Sequence, residues 1–303
     1  MTQLCPACHA PNGAVAIARP RDWEYFTLRE RQVTICRCGN CGSLFKDPWP
    51  SAREAQNFYG PDYQNYNNAK VPWLASLNAV FQRAGASAFL RRHGTSVISV
   101  LDFGCGHGDF LRSLSRLGCC RLAGFDFTPY AGLAAVTGAR IFDSIEALAA
   151  SSERFDVIRM NHVIEHLTDL DKTMRLLAGL LAPAGRIIGE TPNGSHYTSR
   201  LMRGWWGPLH YPYHTVIFSV EGLAAAAPRW NLRLCETSSS IMPTGWTMSA
   251  ENMLKAIIGS RKPGRSAGYV ALLALGLPFA FLDRLLTPAA TAIFGFELSL
   301  IQR

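Results

Sequence analysis

One segment constrains this chain more than any other: Val97 to Phe110, VISVLDFGCGHGDF. An apolar run that ends in Gly-x-Gly-x-Gly and continues into Asp109-Phe110 reads as a buried strand, a tight turn and a helix. Glycines let a ligand lie against bare backbone, and the helix that follows presents free N–H groups to it. The spacing Gly104-x-Gly106-x-Gly108 is not the GxGxxG of a dinucleotide turn. The turn has a partner, because the next strand, LAGFD, ends in Asp126. An acid about 20 residues further on suits a ribose diol. The following junction, Ile141-Phe142-Asp143-Ser144, offers a second acid that could meet an adenine amino group.

The rest of the middle of the chain repeats the alternation. Residues 97–103, 121–127, 139–142, 155–160 and 186–190 read as strands, and 109–117, 145–150 and 170–181 as helices. Residues 73–92 carry a helical period, and 51–70 read as a short helix and an ordered loop. Strands alternating with helices predict an α/β fold with a Rossmann-like, doubly wound parallel sheet. Two late strands fall at 232–237 and 296–301, separated by about 55 mostly apolar residues, too many for a bare loop and therefore helical. The expected organisation is a small Cys-rich unit over 1–50, linker and helices over 51–94, the core over 95–240, and an apolar helical insertion with the final strand over 241–303. With 48% hydrophobic and 17% charged residues among 303, a disordered chain is excluded.

Nine cysteines are present. Cys5-Pro6-Ala7-Cys8 and Cys38-Gly39-Asn40-Cys41 are two CxxC pairs, and two such pairs complete a tetrahedral all-sulfur site for a structural zinc. Cys36 and His9 lie nearby as alternative ligands. The first residues lack the basic and apolar regions of a secretory signal, so a reducing, cytoplasmic setting is expected.

VLDFGCGHGDF, then GFD, then FDVIRMNHVIEHL, resembles the class I S-adenosylmethionine-dependent methyltransferases over roughly residues 75–240 and the final strand. The four-cysteine ribbon, FYGPDY and TPNG…HYPYHTVIFS extend the likeness to bacterial members with an N-terminal zinc ribbon that act on sugars, cell-surface polysaccharides or secondary metabolites. The resemblance implies S-adenosylmethionine as cofactor, with Asp102, Gly104, the Cys105 backbone and Gly106 around its methionine moiety. It implies Asp126 and Phe127 at the ribose, Asp143 near adenine and Asn161 facing the cofactor. Glu165-His166 is also similar to the ubiquinone-pathway O-methyltransferases, where two glutamates and a histidine hold a divalent metal. Here His162 stands in place of the first glutamate.

Ligands of such sheets sit at the carboxyl ends of the strands. The stretch from Thr191 to Val220 has no acidic residue but carries Arg200, Arg203, three histidines and six aromatics, a composition suited to an anionic sugar acceptor. If the acceptor is a hydroxyl or acidic carbon, a base must take its proton. His214 is the first candidate, and His166 then His162 follow. The acceptor expected is a small molecule or glycan, sugar, nucleotide- or lipid-linked. An RNA acceptor is the alternative, no DNA is expected, and residues 1–60 hold only seven Lys/Arg against five Asp/Glu, a weak phosphate-binding footprint.

Lys plus Arg, 30, less Asp plus Glu, 22, gives a net charge of +8. The most apolar run, residues 268–282, is shorter than the roughly 20 residues of a spanning helix and contains Pro278. It reads either as a buried helix or homodimer contact, or as a peripheral membrane contact of 255–292 on the inner face, with Lys255, Arg261, Lys262 and Arg265 beside it.

Overall fold

The computed structural model describes residues 4–11, 13–24, 33–56, 84–93, 98–118, 120–127, 129–239, 241–262, 268–287 and 291–301. The helical period over 73–83, the aromatic loop after residue 56 and Val97 lie outside them.

Three short antiparallel strands begin the chain: β1 (Ala14–Ala18), β2 (Thr34–Cys38) and β3 (Leu44–Asp47). Helices α1 (Ala52–Gln56) and α2 (residues 84–93) lead into the second sheet. There β4 (Ile98–Phe103) is buried at all six positions. Its side chains alternate between two cores, as a strand's period of two requires. Ile98 and Val100 pack with Phe89, Leu90 and Phe110, while Leu101 and Phe103 pack with Phe125, Ile158 and Leu177. Coverage of both faces is why the segment reads as a continuous apolar run.

From β4 the chain passes through α3 (Asp109–Ser115), β5 (Cys120–Phe125), α4 (Leu133–Thr137), β6 (Arg140–Phe142), α5 (Ile145–Ala149) and β7 (Phe155–Arg159). It continues through α6 (Leu170–Gly179), β8 (Leu181–Pro192) and α7 (Tyr197–Met202). β9 (Val216–Ile217) then leaves the second sheet and pairs with β3, so the Cys-rich sheet takes its fourth strand from the segment after β8. The chain ends with α8 (Val220–Ala226), β10 (Leu232–Ser239), α9 (Thr244–Ile257), α10 (Tyr269–Leu286) and β11 (Ile293–Leu300).

The seven-stranded sheet has the order β10-β11-β8-β7-β4-β5-β6. Five strands, β4 to β8, are mutually parallel. The Rossmann-like doubly wound sheet expected from the alternation is present, and it is completed by β11, which runs antiparallel to both β8 and β10. Its chain arrives from the α9–α10 insertion rather than from a single crossover helix, and so enters from the opposite end. The buried-helix reading of residues 268–282 is overturned. In α10 only Gly276, Ala280 and Asp283 are buried.

Candidate active site

The glycine turn lies between β4 and α3, with left-handed backbone at Gly104 (φ 82°), Gly106 (φ 50°) and Gly108 (φ 77°). The three glycines serve different ends. A Cβ on Gly104 would sit 2.5 Å from Val163 Cγ2, and one on Gly108 would sit 2.2 Å from Leu133 Cδ1, so both are required for packing. A Cβ on Gly106 would meet nothing within 4 Å, so its backbone faces open space. That open cradle, with Asp126 Oδ2 accepting from the Gly106 N–H at 2.8 Å, fits a ligand laid across the turn.

The remaining residues expected at the cofactor stand on neighbouring strand ends. Phe127 follows β5 and is 68% exposed, Asp143 follows β6 and is exposed, and Asn161 follows β7 and donates to Glu190 Oε2 at 3.2 Å. One expected contact is turned elsewhere. The Asp102 carboxylate is buried and accepts from Arg159 Nη1 at 2.8 Å, and the Arg159 guanidinium also stacks 4.2 Å over the Phe110 ring. The Cys105 side chain is buried against Gly124, and burial pushes its thiol up to about 12. Only the backbone of Cys105 is therefore offered to a ligand.

Beyond the turn, Val163 leads into Glu165, which is fully buried. Its Oε2 accepts from Thr191 Oγ1 at 3.0 Å. Among the described residues its Oε1 has no hydrogen-bond partner, and it lies 3.4 Å from His162 Nδ1 and 4.0 Å from His214 Nε2. The structure thus joins His214 and His166, whose rings meet edge to face at 4.6 Å, to the carboxylate and to His162. His214 Nδ1 lies 2.8 Å from the Pro208 carbonyl, which can only accept, so Nδ1 carries the proton and Nε2 is bare. Burial first, then the neighbouring His166 and His210, hold His214 neutral, well below the usual histidine range. Burial likewise takes His166 down to about 4 against the pull of Glu165. His162 behaves differently. Burial opposes its charge, yet its contact with Glu165 outweighs burial and raises its pKa above the ordinary value. Burial would push Glu165 up, but His162 and then His166 hold it low and ionised. His162, in left-handed backbone with φ 53°, is also the more open imidazole, its side chain 32% exposed against 7% for His214.

Among the described residues, two groups could hold a metal. Cys5, Cys8, Cys38 and Cys41 bring their sulfurs within 4.8 Å of one another, with Cys5–Cys41 at 3.8 Å and Cys8–Cys38 at 3.6 Å. Zinc–sulfur bonds of about 2.3 Å in a tetrahedron place sulfurs about 3.8 Å apart, so this set fits zinc. Cys36 and His9 stand outside the set, and His9 lies 3.8 Å from Asp171. Glu165, His166 and His214 form the second group. One carboxylate oxygen and two imidazoles do not suit a magnesium-type cation, which takes oxygen ligands.

The segment after β8 departs from its expected role in one respect. Trp206, Tyr213 and Phe218 are buried, Trp206 and Phe218 in core clusters, so they do not offer faces to a sugar, while Trp205 remains 44% exposed. The acid missing from this stretch comes from elsewhere: Glu24 Oε2 lies 3.0 Å from His210 Nε2. Lys46, 2% exposed, donates to the Pro212 carbonyl, and burial lowers its pKa to about 7. Arg37, also buried, donates to the carbonyls of Gly42 and Gly194 and to Ser199 Oγ. Apart from Gly42, sequence patterning could not reveal these partners, because each of the others joins residues more than 150 positions apart. A cavity of about 830 Å³ lined by Ser99, Arg121 and Arg154 opens at the amino ends of the strands, away from all of these groups.

The chain matches the family model described as methyltransferase domain over residues 75–237. That is more than half of its length, and the chain belongs to this family. It is an S-adenosylmethionine-dependent methyltransferase. Among curated proteins it is similar to the ubiquinone biosynthesis O-methyltransferase of Methylobacterium nodulans, 26% identical over 184 residues that cover 55% of this chain and 73% of the relative. The protein of the same name from Brucella anthropi is 25% identical over 187 residues, with the same coverage. Among solved structures, the plantazolicin methyltransferase BpumL in complex with SAH matches with a TM-score of 0.46 at 19% identity, covering 82% of this chain and 94% of that one.

Proposed function

We propose that this enzyme methylates an oxygen of a small-molecule or glycan acceptor, with a structural zinc in its N-terminal sheet. The carrying observation is the buried, ionised Glu165 with His162, His166 and His214 around it, two residues beyond the valine that packs on Gly104. The relatives' names support oxygen as the atom. S-adenosylmethionine supplies a methyl group already activated on a sulfonium, so the protein's task is alignment and proton removal.

The chain's residues divide that task. Gly106 and Asp126 hold the nucleoside side of the cleft, and the buried aromatics after β8 exclude water. Glu165 orients His162 and raises its basicity. His162 receives the acceptor's proton at Nε2, while Thr191 Oγ1 donates to Glu165 Oε2 and fixes the carboxylate; His214, neutral and fixed by Pro208, packs beside it. This reading moves the base from His214, the first candidate from sequence, to the more open histidine. The zinc fastens the first sheet, which in turn supports the acceptor wall through Arg37 and Lys46. Those two cations are spent on the chain's own carbonyls, so an RNA acceptor tracked by the ribbon finds little support.

Calorimetric titration with S-adenosylmethionine and S-adenosylhomocysteine, with zinc content measured on the same sample, tests the scaffold. Micromolar binding with about one zinc per chain is expected. A screen of nucleotide sugars, lipid-linked glycans and phenols with labelled cofactor then tests the acceptor class. A folded, zinc-loaded protein that binds neither nucleoside overturns the proposal.

A further inference from the structure

The α9–α10 hairpin leaves more apolar surface in water than a soluble helix pair normally would. Helix α10 packs through a seam of small or buried residues, Gly276, Ala280 and Asp283. The seam is close, since a Cβ on Gly276 would lie 2.9 Å from Thr247 Oγ1. Beside it, Leu275, Phe279, Leu282 and Leu286 form a stripe at helical spacing, 45–66% exposed. Ile257 and Ile258, at the end of α9, are 80% and 64% exposed.

The charges around this face have one sign. Among the described residues from Thr244 to Thr287, the exposed charged side chains are Arg261, Lys262 and Arg284, and both acids, Glu251 and Asp283, are buried. We infer that the α9–α10 hairpin docks this enzyme in the plane of an anionic membrane surface, next to its acceptor wall. An apolar stripe fringed by cations and free of exposed carboxylates complements anionic head groups over acyl chains. A second copy of this chain is the poorer occupant, because a two-fold contact through the same face would bring the cationic fringes together.

By length and composition α10 is the one described helix apolar enough to cross a membrane. The structure favours lying flat. Eighteen residues span about 27 Å, short of the roughly 30 Å hydrocarbon core. Asp283 also ties the helix to the protein, accepting from Tyr197 Oη at 2.5 Å and from Trp246 Nε1 at 2.7 Å. Tyr197 opens α7, and the N–H of Gly207 donates to Ser249 Oγ of α9 at 2.8 Å. The docking face is thus built onto the wall that carries His210 and His214. The inference rests on the proposed function and narrows it, since an acceptor carried by the membrane would reach the site along this hairpin.

The test is co-sedimentation of the full chain with vesicles of phosphatidylcholine alone or mixed with phosphatidylglycerol, at low and high salt. The wild type is expected in the pellet with anionic vesicles, less so at high salt, and in the supernatant with neutral ones. Leu275→Glu/Phe279→Glu and Arg261→Gln/Lys262→Gln should each lower partitioning by about tenfold or more. S-adenosylhomocysteine binding should stay unchanged in both variants, which separates this outcome from loss of fold and from failure of the methyltransferase reading. Wild type that stays in the supernatant with anionic vesicles at low salt overturns the inference. So does a concentration-dependent dimer, seen by light scattering, that Leu275→Glu/Phe279→Glu dissolves.

Discussion

Replacing Glu165 by glutamine changes charge while keeping shape, and so isolates what the buried carboxylate does. The amide can still accept from Thr191 Oγ1, now 3.0 Å from Glu165 Oε2, and it fills the same fully buried space. What disappears is the negative charge 3.4 Å from His162 Nδ1. At an effective dielectric of about 20, that contact is worth about 5 kcal/mol before the cost of burying both groups is subtracted. Because burial opposes it, the net pull is smaller, and losing an opposite charge at this range moves a pKa by about one to three units. The sign follows from the role. A base acts in its deprotonated form, and His162 is raised above 6.5 in the fold, so wild-type kcat/KM should climb with pH through a midpoint above 6.5. In Glu165→Gln that midpoint should fall by about one unit or more, and the plateau should drop about 10- to 100-fold because a weaker base remains. The deficit should therefore narrow at acid pH. The assay is the pH profile of kcat/KM for both proteins, with S-adenosylhomocysteine affinity as the control for fold. A midpoint that does not move while the plateau is retained would refute the reasoning.

The other predictions bear on separate parts of the molecule. Asp126→Ala should weaken S-adenosylhomocysteine binding about tenfold to a hundredfold by calorimetry, the worth of a hydrogen bond to a charged group, while thermal stability changes little. Gly104→Ala must place a methyl 2.5 Å from Val163 in left-handed backbone, so its melting temperature should fall by several degrees and cofactor affinity with it. Cys38→Ser should lose zinc, measured by elemental analysis, and raise acceptor KM more than cofactor Kd, because the first sheet touches the acceptor wall and not the glycine turn.

Much of the fold was legible because its signals are local. The glycine turn, the strand ending in Asp126 and the CxxC pairs each declare themselves within a dozen residues, where backbone strain, burial and ligand spacing act on neighbouring positions. The antiparallel β11 was not legible, since strand direction depends on where a long insertion returns the chain. Nor was the identity of the most basic histidine. His162, His166 and His214 are chemically alike in sequence, and only the fold decides which one faces a carboxylate, which is capped by a carbonyl and which is half open. The same argument applies to Arg37 and Lys46. A cation in a Cys-rich segment suggests a phosphate until its partner is seen to be a carbonyl some 160 residues away. Long-range polar pairing of this kind binds the four-cysteine sheet to the segment after β8. A change in one should therefore be felt in acceptor binding before it is felt in cofactor binding.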